Sequence, residues 1–252
     1  MTALTIREAA AKVMVALDKP DAEAALRLAS QLQGAGCWMK VGMELFYAAG
    51  PGVVRELKSR GFRVFLDLKM HDIPNTVRGG ARSIARLGVD LFNVHAAGGT
   101  AMMAAALEGV RDAIEAGEAA AAGSSEPSPL VIAVTQLTST SQSVLNDEIG
   151  IAGLVRDTVV RYARLARDAG LHGIVASPLE VGAVKAACGS GFVTVTPGIR
   201  PRGADVGDQS RVRTPKEAMQ DGTDYLVIGR PVTEAADPAQ ALDTILKEMT
   251  EA

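Results

Sequence analysis

The sequence predicts an α/β protein of the (β/α)8, or TIM-barrel, class that folds as a single domain. Eight short apolar runs rich in β-branched residues recur along the 252-residue chain, and amphipathic or alanine-rich windows of helical length separate them. Strands that are apolar on both faces are typical of parallel sheets covered by helices on both sides. Eight strand–helix units in this length match a barrel, while a doubly wound open sheet remains the structural alternative.

The predicted elements follow the apolar pattern in chain order. Windows such as 22–32 and 155–170 carry an apolar residue every three to four positions, which predicts helices. The low-complexity stretch 116–130 predicts a helix end and a mobile loop on the amino-terminal side of the barrel, where we expect no site residue. No linker or second change of composition occurs, so residues 1–252 are expected to form one domain. The eight predicted strands are 13–17, 37–41, 62–68, 90–94, 130–137, 172–176, 192–196 and 224–229.

Composition and charge exclude several classes of function. The formal net charge of −3 provides no basic field for nucleic acid, and no apolar run reaches the ~18 residues that span a bilayer. Cys37 and Cys188 form no C-x-x-C pair, and the N-terminus lacks the apolar stretch of a signal peptide, so we expect a reducing cytoplasmic location. His71, His95 and His172 lie too far apart for a zinc-binding helix face, and no metal is expected.

Charged residues concentrate where strands two and three of the predicted barrel end. Asp67 and Lys69 are two positions apart on a strand, so their side chains are expected on one face, and Asp72 follows in the next turn. Lys40 on the neighbouring strand completes an alternating Lys-Asp-Lys-Asp row, which keeps every member ionised. Asp18, at the end of strand one, belongs to the same rim. Active groups of such barrels lie at this end.

A second feature is the loop 195–215, followed by the sequence IGRP at 228–231. Loops after strands seven and eight of such barrels commonly bind phosphate, and Gly198, Gly229 and Arg230 suit close backbone approach and a bidentate contact. The loop is long enough to form a lid with Gly203 and Gly207 as hinges. It has a local charge of +2, from Arg200, Arg202, Arg211 and Arg213 against Asp205 and Asp208.

Other polar residues carry weaker signals. Asn93 and His95 alternate with apolar neighbours on strand four, and the sequence leaves open whether they are barrel-interior groups or ligand contacts. His71 is interpreted as structural support and His172 as a surface residue. Cys37 is expected to be a small buried hydrophobe.

Several of these segments match a known family in the family's order and nearly from end to end. In them the chain resembles bacterial orotidine 5′-phosphate decarboxylase, the last enzyme of de novo pyrimidine synthesis. DLKMHDIPNTV is the most specific string, and the stretch 116–129 carries the least resemblance. The matching segments are VALD (15–18), KVG (40–42), DLKMHDIPNTV (67–77), QLTS (136–139), TPGIRP (196–201), DQSR (208–211) and IGRP (228–231).

The resemblance implies decarboxylation to uridine monophosphate without cofactor or metal, in a homodimeric barrel whose active sites lie at the subunit interface. It implies that Lys69 donates the proton, that Asp67 lies beside the departing carboxylate and that Asp72 comes from the other subunit. The resemblance also implies that Lys40 orders the row, which makes a catalytic set of four residues. The implied substrate contacts are Asp18, Lys40 and Asp67 for the row and ribose, Ile73 and Thr76 near the interface, Thr138 with Ser139 for the pyrimidine, and Arg200, Gln209, Gly229 and Arg230 for the phosphate.

Two other functions remain open from sequence. Sugar-phosphate decarboxylases and hexulose-phosphate synthases share the pattern D-x-K-x-x-D but use magnesium. They have an acidic metal ligand at the position of Lys40. The ammonium of Lys40 would repel a divalent cation there. A non-catalytic nucleotide-binding barrel would keep the phosphate site and lose the charged row. Lys69 and Asp67, which are both present, favour the enzyme.

Overall fold

A computed structural model describes residues 4–119, 128–202 and 212–251 of the chain. The centre of the low-complexity stretch lies outside the described residues. The same holds for Gln209 and Arg211 and for the proposed hinges Gly203 and Gly207.

The eight strands form one closed parallel barrel in sequence order, each paired with its chain neighbours and β1 with β8. The predicted single-domain (β/α)8 class is therefore confirmed, and the open-sheet alternative is wrong. Each predicted run overlaps one observed strand, and the bounds differ by at most three residues. The strands are β1 Val13–Ala16, β2 Trp38–Gly42, β3 Val64–Met70, β4 Leu91–His95, β5 Leu130–Val134, β6 Gly173–Val175, β7 Val193–Thr196 and β8 Tyr225–Ile228.

Helices cover the outside of the barrel, and several begin at side-chain caps. Thr5 and Thr214 form capping boxes with Glu8 and Glu217, so unpaired backbone N–H groups at two helix starts are satisfied. No helix of the described ranges is long and apolar enough to cross a membrane. The α-helices are α1 Ile6–Ala10, α2 Ala22–Gln31, α3 Met43–Ala49, α4 Gly52–Ser59, α5 Pro74–Ala85, α6 Gly99–Glu115, α7 Val155–Asp168, α8 Val181–Cys188, α9 Pro215–Gln220, α10 Arg230–Thr233 and α11 Pro238–Thr250.

Apolar side chains fill two separate layers. Met14, Trp38 and Phe65 point into the barrel interior with partners from other strands, while alternate residues such as Val15 and Leu66 pack outward against the helices. Both faces of each strand are thereby buried, which explains why the strands read as continuous apolar runs. Cys37 is buried as expected.

The helix pair α5 and α6 packs unusually closely beside β3 and β4. A Cβ atom on Gly109 would lie 2.1 Å from the carbonyl oxygen of Arg78, so only glycine permits this approach. Arg78 also pairs with Asp112 across the two helices, with Nε 2.6 Å from Oδ2. This packing fixes α5, whose first turn follows the charged segment at the end of β3.

Candidate active site

A cavity of about 510 Å³ opens at the carboxyl ends of the strands. This is the rim where barrel enzymes carry their active groups. The structure brings most of the predicted site residues to its wall. Those lining it are Asp18, Lys40, Asp67, Lys69, Thr138, Ser139, Arg200, Gly229 and Arg230.

Four charged side chains form a continuous row on one side of this cavity. Lys40 Nζ lies 3.0 Å from Asp18 Oδ1 and 3.5 Å from Asp67 Oδ2. Lys69 Nζ lies 2.7 Å from Asp67 Oδ1. Lys40 and Asp67 are nearly buried, whereas Asp18 is half exposed. Within one chain the alternating row therefore runs Asp18, Lys40, Asp67, Lys69.

The common face of Asp67 and Lys69 does not arise from regular strand alternation. The pairing of β3 with β4 shifts register between Leu66 and Met70, and Lys69 has a φ of +52°, the only positive φ outside glycine in the described residues. Such a left-handed conformation is uncommon for a side-chain-bearing residue and occurs disproportionately at functional sites. The Lys69 ammonium therefore reaches Asp67 through an irregularity in β3, and not through the regular alternation of side chains that the sequence predicted.

Asn93, which the sequence left open, supports this irregular segment. It is 1% exposed on β4. Its Nδ2 donates to Asp67 Oδ1 at 2.7 Å, and its Oδ1 accepts the backbone N–H of Lys69 at 2.8 Å. Asn93 is therefore a barrel-interior group that contacts two members of the charged row.

The electrostatics of the row favour an ionised Asp67. Burial by itself raises the pKa of this carboxyl, but the charges of Lys40 and Lys69 and the hydrogen bonds from Lys69 and Asn93 outweigh it, so the pKa lies below its ordinary value. The pKa of the nearby His95 is also lowered, first by burial and then by the charges of His71 and Lys69. A neutral His95 therefore borders the row near pH 7.

The segment after β3 does not join the cavity in a single chain. Asp72, Ile73 and Thr76 are all exposed and do not line it. Asp72 Oδ1 accepts the N–H of Ile73 at 2.6 Å, which leaves the carboxylate at the surface. Ile73, at 66% exposed, is a large apolar side chain open to solvent.

The opposite wall of the cavity carries the expected anion-binding groups. Gly229 precedes the short helix α10, which begins at Arg230, and both residues line the cavity together with Arg200. The backbone N–H of Arg200 donates to the carbonyl oxygen of Arg213 at 2.9 Å, which ties together the two ends of the loop after β7. The predicted contact Gln209 lies outside the described residues.

Sequence reasoning missed four polar residues of the cavity wall, which are Lys19, Gln136, Thr233 and Glu234. Lys19 lines it and donates from Nζ to the carbonyl oxygen of Thr233 at 3.1 Å, linking the end of β1 to α10. Gln136, two residues after the end of β5, also lines the cavity. Lys19 is two positions after the predicted strand 13–17, and Gln136 is near the end of the predicted strand 130–137, so the sequence placed both at the carboxyl-terminal rim.

Other sequence interpretations have mixed outcomes. His172 is exposed as predicted, but its Nδ1 also accepts the N–H of Val131 at 3.0 Å. His71 lies beside His95, with ring centroids 5.6 Å apart. Among the residues that the structure describes, no three His, Cys, Asp or Glu side chains are grouped to hold a metal ion.

Comparison with known proteins agrees with this geometry. The sequence model of the orotidine 5′-phosphate decarboxylase / HUMPS family matches residues 11–245, which include all eight strands. The chain belongs to this family. The matched range includes the residues of the charged row and of the opposite wall.

Within the family, three individual relatives that are similar to the chain over nearly its whole length carry the name orotidine 5′-phosphate decarboxylase. The chain is 54% identical to orotidine 5′-phosphate decarboxylase of Moorella thermoacetica over 94% of this chain and 92% of that protein. It is 47% identical to the Bacillus cereus protein of the same name, covering 94% of this chain and 96% of the relative. Crystallised orotidine 5′-phosphate decarboxylase from Lactobacillus acidophilus superimposes with a TM-score of 0.82 at 40% identity, covering 95% and 99% of the two chains.

Proposed function

We propose that the protein decarboxylates orotidine 5′-phosphate to uridine 5′-monophosphate, the last step of de novo pyrimidine synthesis, without a cofactor. The observation that carries the proposal is the Asp67–Lys69 ion pair of 2.7 Å, at the wall of a cavity whose other side holds Arg200, Gly229 and Arg230. The names of the relatives give the substrate. A carboxylate-bearing nucleotide fits a cavity with cations at both ends.

The proposed chemistry needs a cation where a carbanion forms. The bond between ring carbon C6 and the carboxylate breaks, carbon dioxide leaves, and the electron pair stays on C6. Lys69 stabilises that charge and transfers its Nζ proton to C6, after which solvent reprotonates the amine. Asp67 lies beside the departing carboxylate, and their repulsion is relieved as carbon dioxide leaves.

The remaining groups of the cavity bind the parts of the substrate that do not react. Asp18 and Lys40 hold the ribose hydroxyls, Thr138 and Ser139 contact the pyrimidine, and the phosphate binds at Arg230 and its neighbours. Gly229 permits close backbone approach, and a guanidinium suits bidentate contact with phosphate. Arg200 and Gln209 complete the proposed phosphate site. Binding energy from the phosphate is available to organise the site.

The proposed active unit is a homodimer with sites at the subunit interface. Asp72 supplies the fourth member of the row to the partner's cavity, and Thr76 and Ile73 reach across with it. Their exposure in the single chain supports this, as does the apolar side chain of Ile73 at the surface. The row of each complete site then contains Lys40, Asp67, Lys69 and the Asp72 of the second subunit.

The magnesium-dependent members of the family are a weaker alternative. Their divalent cation needs oxygen ligands, but here the Lys40 ammonium lies within 3.5 Å of both Asp18 and Asp67. A cation bound there would be repelled by that ammonium. The donor set therefore favours the metal-independent reaction.

We also infer a cytoplasmic location and one domain over residues 1–252. Both cysteines are free thiols, which suits a reducing compartment. The closed barrel uses strands from Val13 to Ile228, and α1 and α11 at the two ends of the chain pack together.

The test is the ultraviolet absorbance of orotidine 5′-phosphate after addition of the purified protein, with and without a chelator. We expect the substrate signal to disappear at the same rate in both. Loss of activity on chelation would contradict the metal-independent mechanism. No turnover by folded protein would contradict the proposed substrate, and magnesium with phosphorylated sugars would then be assayed.

A further inference from the structure

Asn93 lies on β4 opposite the segment of β3 in which the strand pairing shifts register. Leu66 pairs with Phe92 and Met70 pairs with Val94, so four residue steps on β3 correspond to two on β4. The whole segment from Asp67 to Lys69 therefore faces one residue of β4, Asn93. Backbone N–H groups in such a segment lose their ladder partners and need another acceptor.

The side chain of Asn93 supplies that acceptor and a donor together. Its Oδ1 accepts the N–H of Lys69, and its Nδ2 donates to Asp67 Oδ1. The partners fix the orientation of the amide, because a backbone N–H only donates and an ionised carboxylate only accepts. A single buried group is thus bonded to the backbone of the proposed proton donor and to the carboxylate beside it.

We infer that Asn93 is a positioning residue, which holds Lys69 in its left-handed conformation and Asp67 in its rotamer; this inference rests on the proposed function. Without the amide, the Lys69 N–H would lose its acceptor, and the backbone would relax toward the extended conformation that lysine prefers. The ammonium would then move away from Asp67. Asn93 is not among the residues proposed to bind the ribose or the phosphate. Its loss is therefore expected to slow the chemical step rather than to weaken substrate binding.

An isosteric variant separates this role from simple packing. Asn93→Asp keeps an acceptor for the Lys69 N–H but presents a carboxylate to Asp67. Two carboxylates in contact share a proton, which raises the pKa of the pair. The other charged or titratable groups around this position are Lys40 on β2, Lys69 on β3 and His95 on β4. Lowering the pH protonates the pair and restores a donor toward Asp67.

The experiment measures kcat, KM and the pH profile for wild type, Asn93→Ala and Asn93→Asp. We expect Asn93→Ala to lower kcat by about 100-fold with little change in KM, because displacing a reacting group by about 1 Å has an effect of that size. Asn93→Asp is expected to regain activity as the pH falls, unlike wild type. Thr194→Val is the matched control, because Thr194 is equally buried and hydrogen-bonded at the opposite rim.

Amide hydrogen exchange gives a readout that does not depend on catalysis. We expect the peptide containing residues 66–70 to exchange faster in Asn93→Ala than in wild type, and to be unchanged in Thr194→Val. Unchanged exchange there, or a kcat for Asn93→Ala near that of Thr194→Val, would overturn the inference. An inactive wild type would instead refute the proposed function, and exchange would still decide whether Asn93 holds the Lys69 amide.

Discussion

Lysine–aspartate pairs occur at both rims of the barrel, and those at the carboxyl-terminal rim line a cavity. At the amino-terminal rim, Lys58 on α4 lies 2.8 Å from Asp90, which directly precedes β4. Asp90 also accepts the N–H of Val64 at 2.7 Å, at the start of β3. The pair therefore links a helix and two strands, and its polar atoms are satisfied inside the protein.

The same arrangement recurs on the other side of the amino-terminal rim. Lys185 on α8 lies 2.6 Å from Asp224, which precedes β8 and accepts the N–H of Thr194 on β7 at 2.7 Å. Lys185 also donates to the carbonyl oxygen of Phe192 at 2.8 Å. The geometry of both pairs serves strand connection.

At the carboxyl-terminal rim the same residue types are arranged for a different purpose. Asp67 receives Lys40, Lys69 and Asn93 together, and Lys69 adopts an unfavourable backbone conformation to reach it. The comparison teaches that an ion pair alone does not indicate a site. Backbone strain, a shared carboxylate and an adjoining cavity distinguish the functional rim.

The largest expected effect follows from removing one lysine at each rim. Lys69→Ala should lower kcat by about four orders of magnitude, because both general-acid and electrostatic contributions are lost. Lys58→Ala is the control: kcat should stay close to wild type while the free energy of unfolding falls by about 1–3 kcal/mol. Steady-state kinetics measures kcat, and urea denaturation measures the free energy of unfolding. Near-normal turnover in Lys69→Ala would contradict the assigned mechanism.

The next effect concerns the wall opposite the charged row. Arg230→Ala should weaken binding of uridine 5′-monophosphate by about 10- to 100-fold, since charge-assisted hydrogen bonds to phosphate are lost. Binding of uridine should hardly change. Isothermal titration calorimetry measures both ligands, and Arg156→Ala on the outer helix α7 is the control arginine. Equal losses for nucleotide and nucleoside would argue against a phosphate contact.

A smaller signal tests whether Asp72 acts across the proposed interface. Mixing inactive Asp72→Ala and Lys69→Ala proteins gives heterodimers in which one site is intact, so random exchange should restore about a quarter of wild-type activity. Each variant incubated alone is the control, and differently tagged subunits report exchange. Absence of rescue despite confirmed exchange would mean that each cavity uses only residues of its own chain.

Much of the fold was predictable because the barrel buries both faces of each strand. Met14 points inward and Val15 outward, yet both are fully buried, so the apolar runs mark strands whatever their register. The rim position of Asp67 and Lys40 followed from the strand ends. These features depend on local sequence and on a general rule of barrels.

The irregular segment of β3 was not predictable in the same way. Its shape depends on Asn93, which lies on another strand. The sequence around Asn93 does not indicate that its side chain accepts a hydrogen bond from the backbone N–H of Lys69. The sequence DLK instead suggested regular alternation. The role proposed for Asp72 requires a second chain, which no single-chain pattern contains. Contacts between distant segments and between subunits are what local sequence omits.

The smallest expected effect concerns the acid sensitivity of the functional rim. The pKa of Asp67 is lowered in the folded protein, so its ionised form contributes stability above the ordinary carboxyl pKa of 3.8, and this contribution is lost as the pH falls through the folded-state pKa. Asp67→Asn removes the group that titrates. Between pH 5 and pH 3, the free energy of unfolding should therefore fall less in Asp67→Asn than in wild type, as measured by urea denaturation. Parallel pH dependence in the two proteins would mean that the neighbouring lysines do not hold Asp67 in its ionised form.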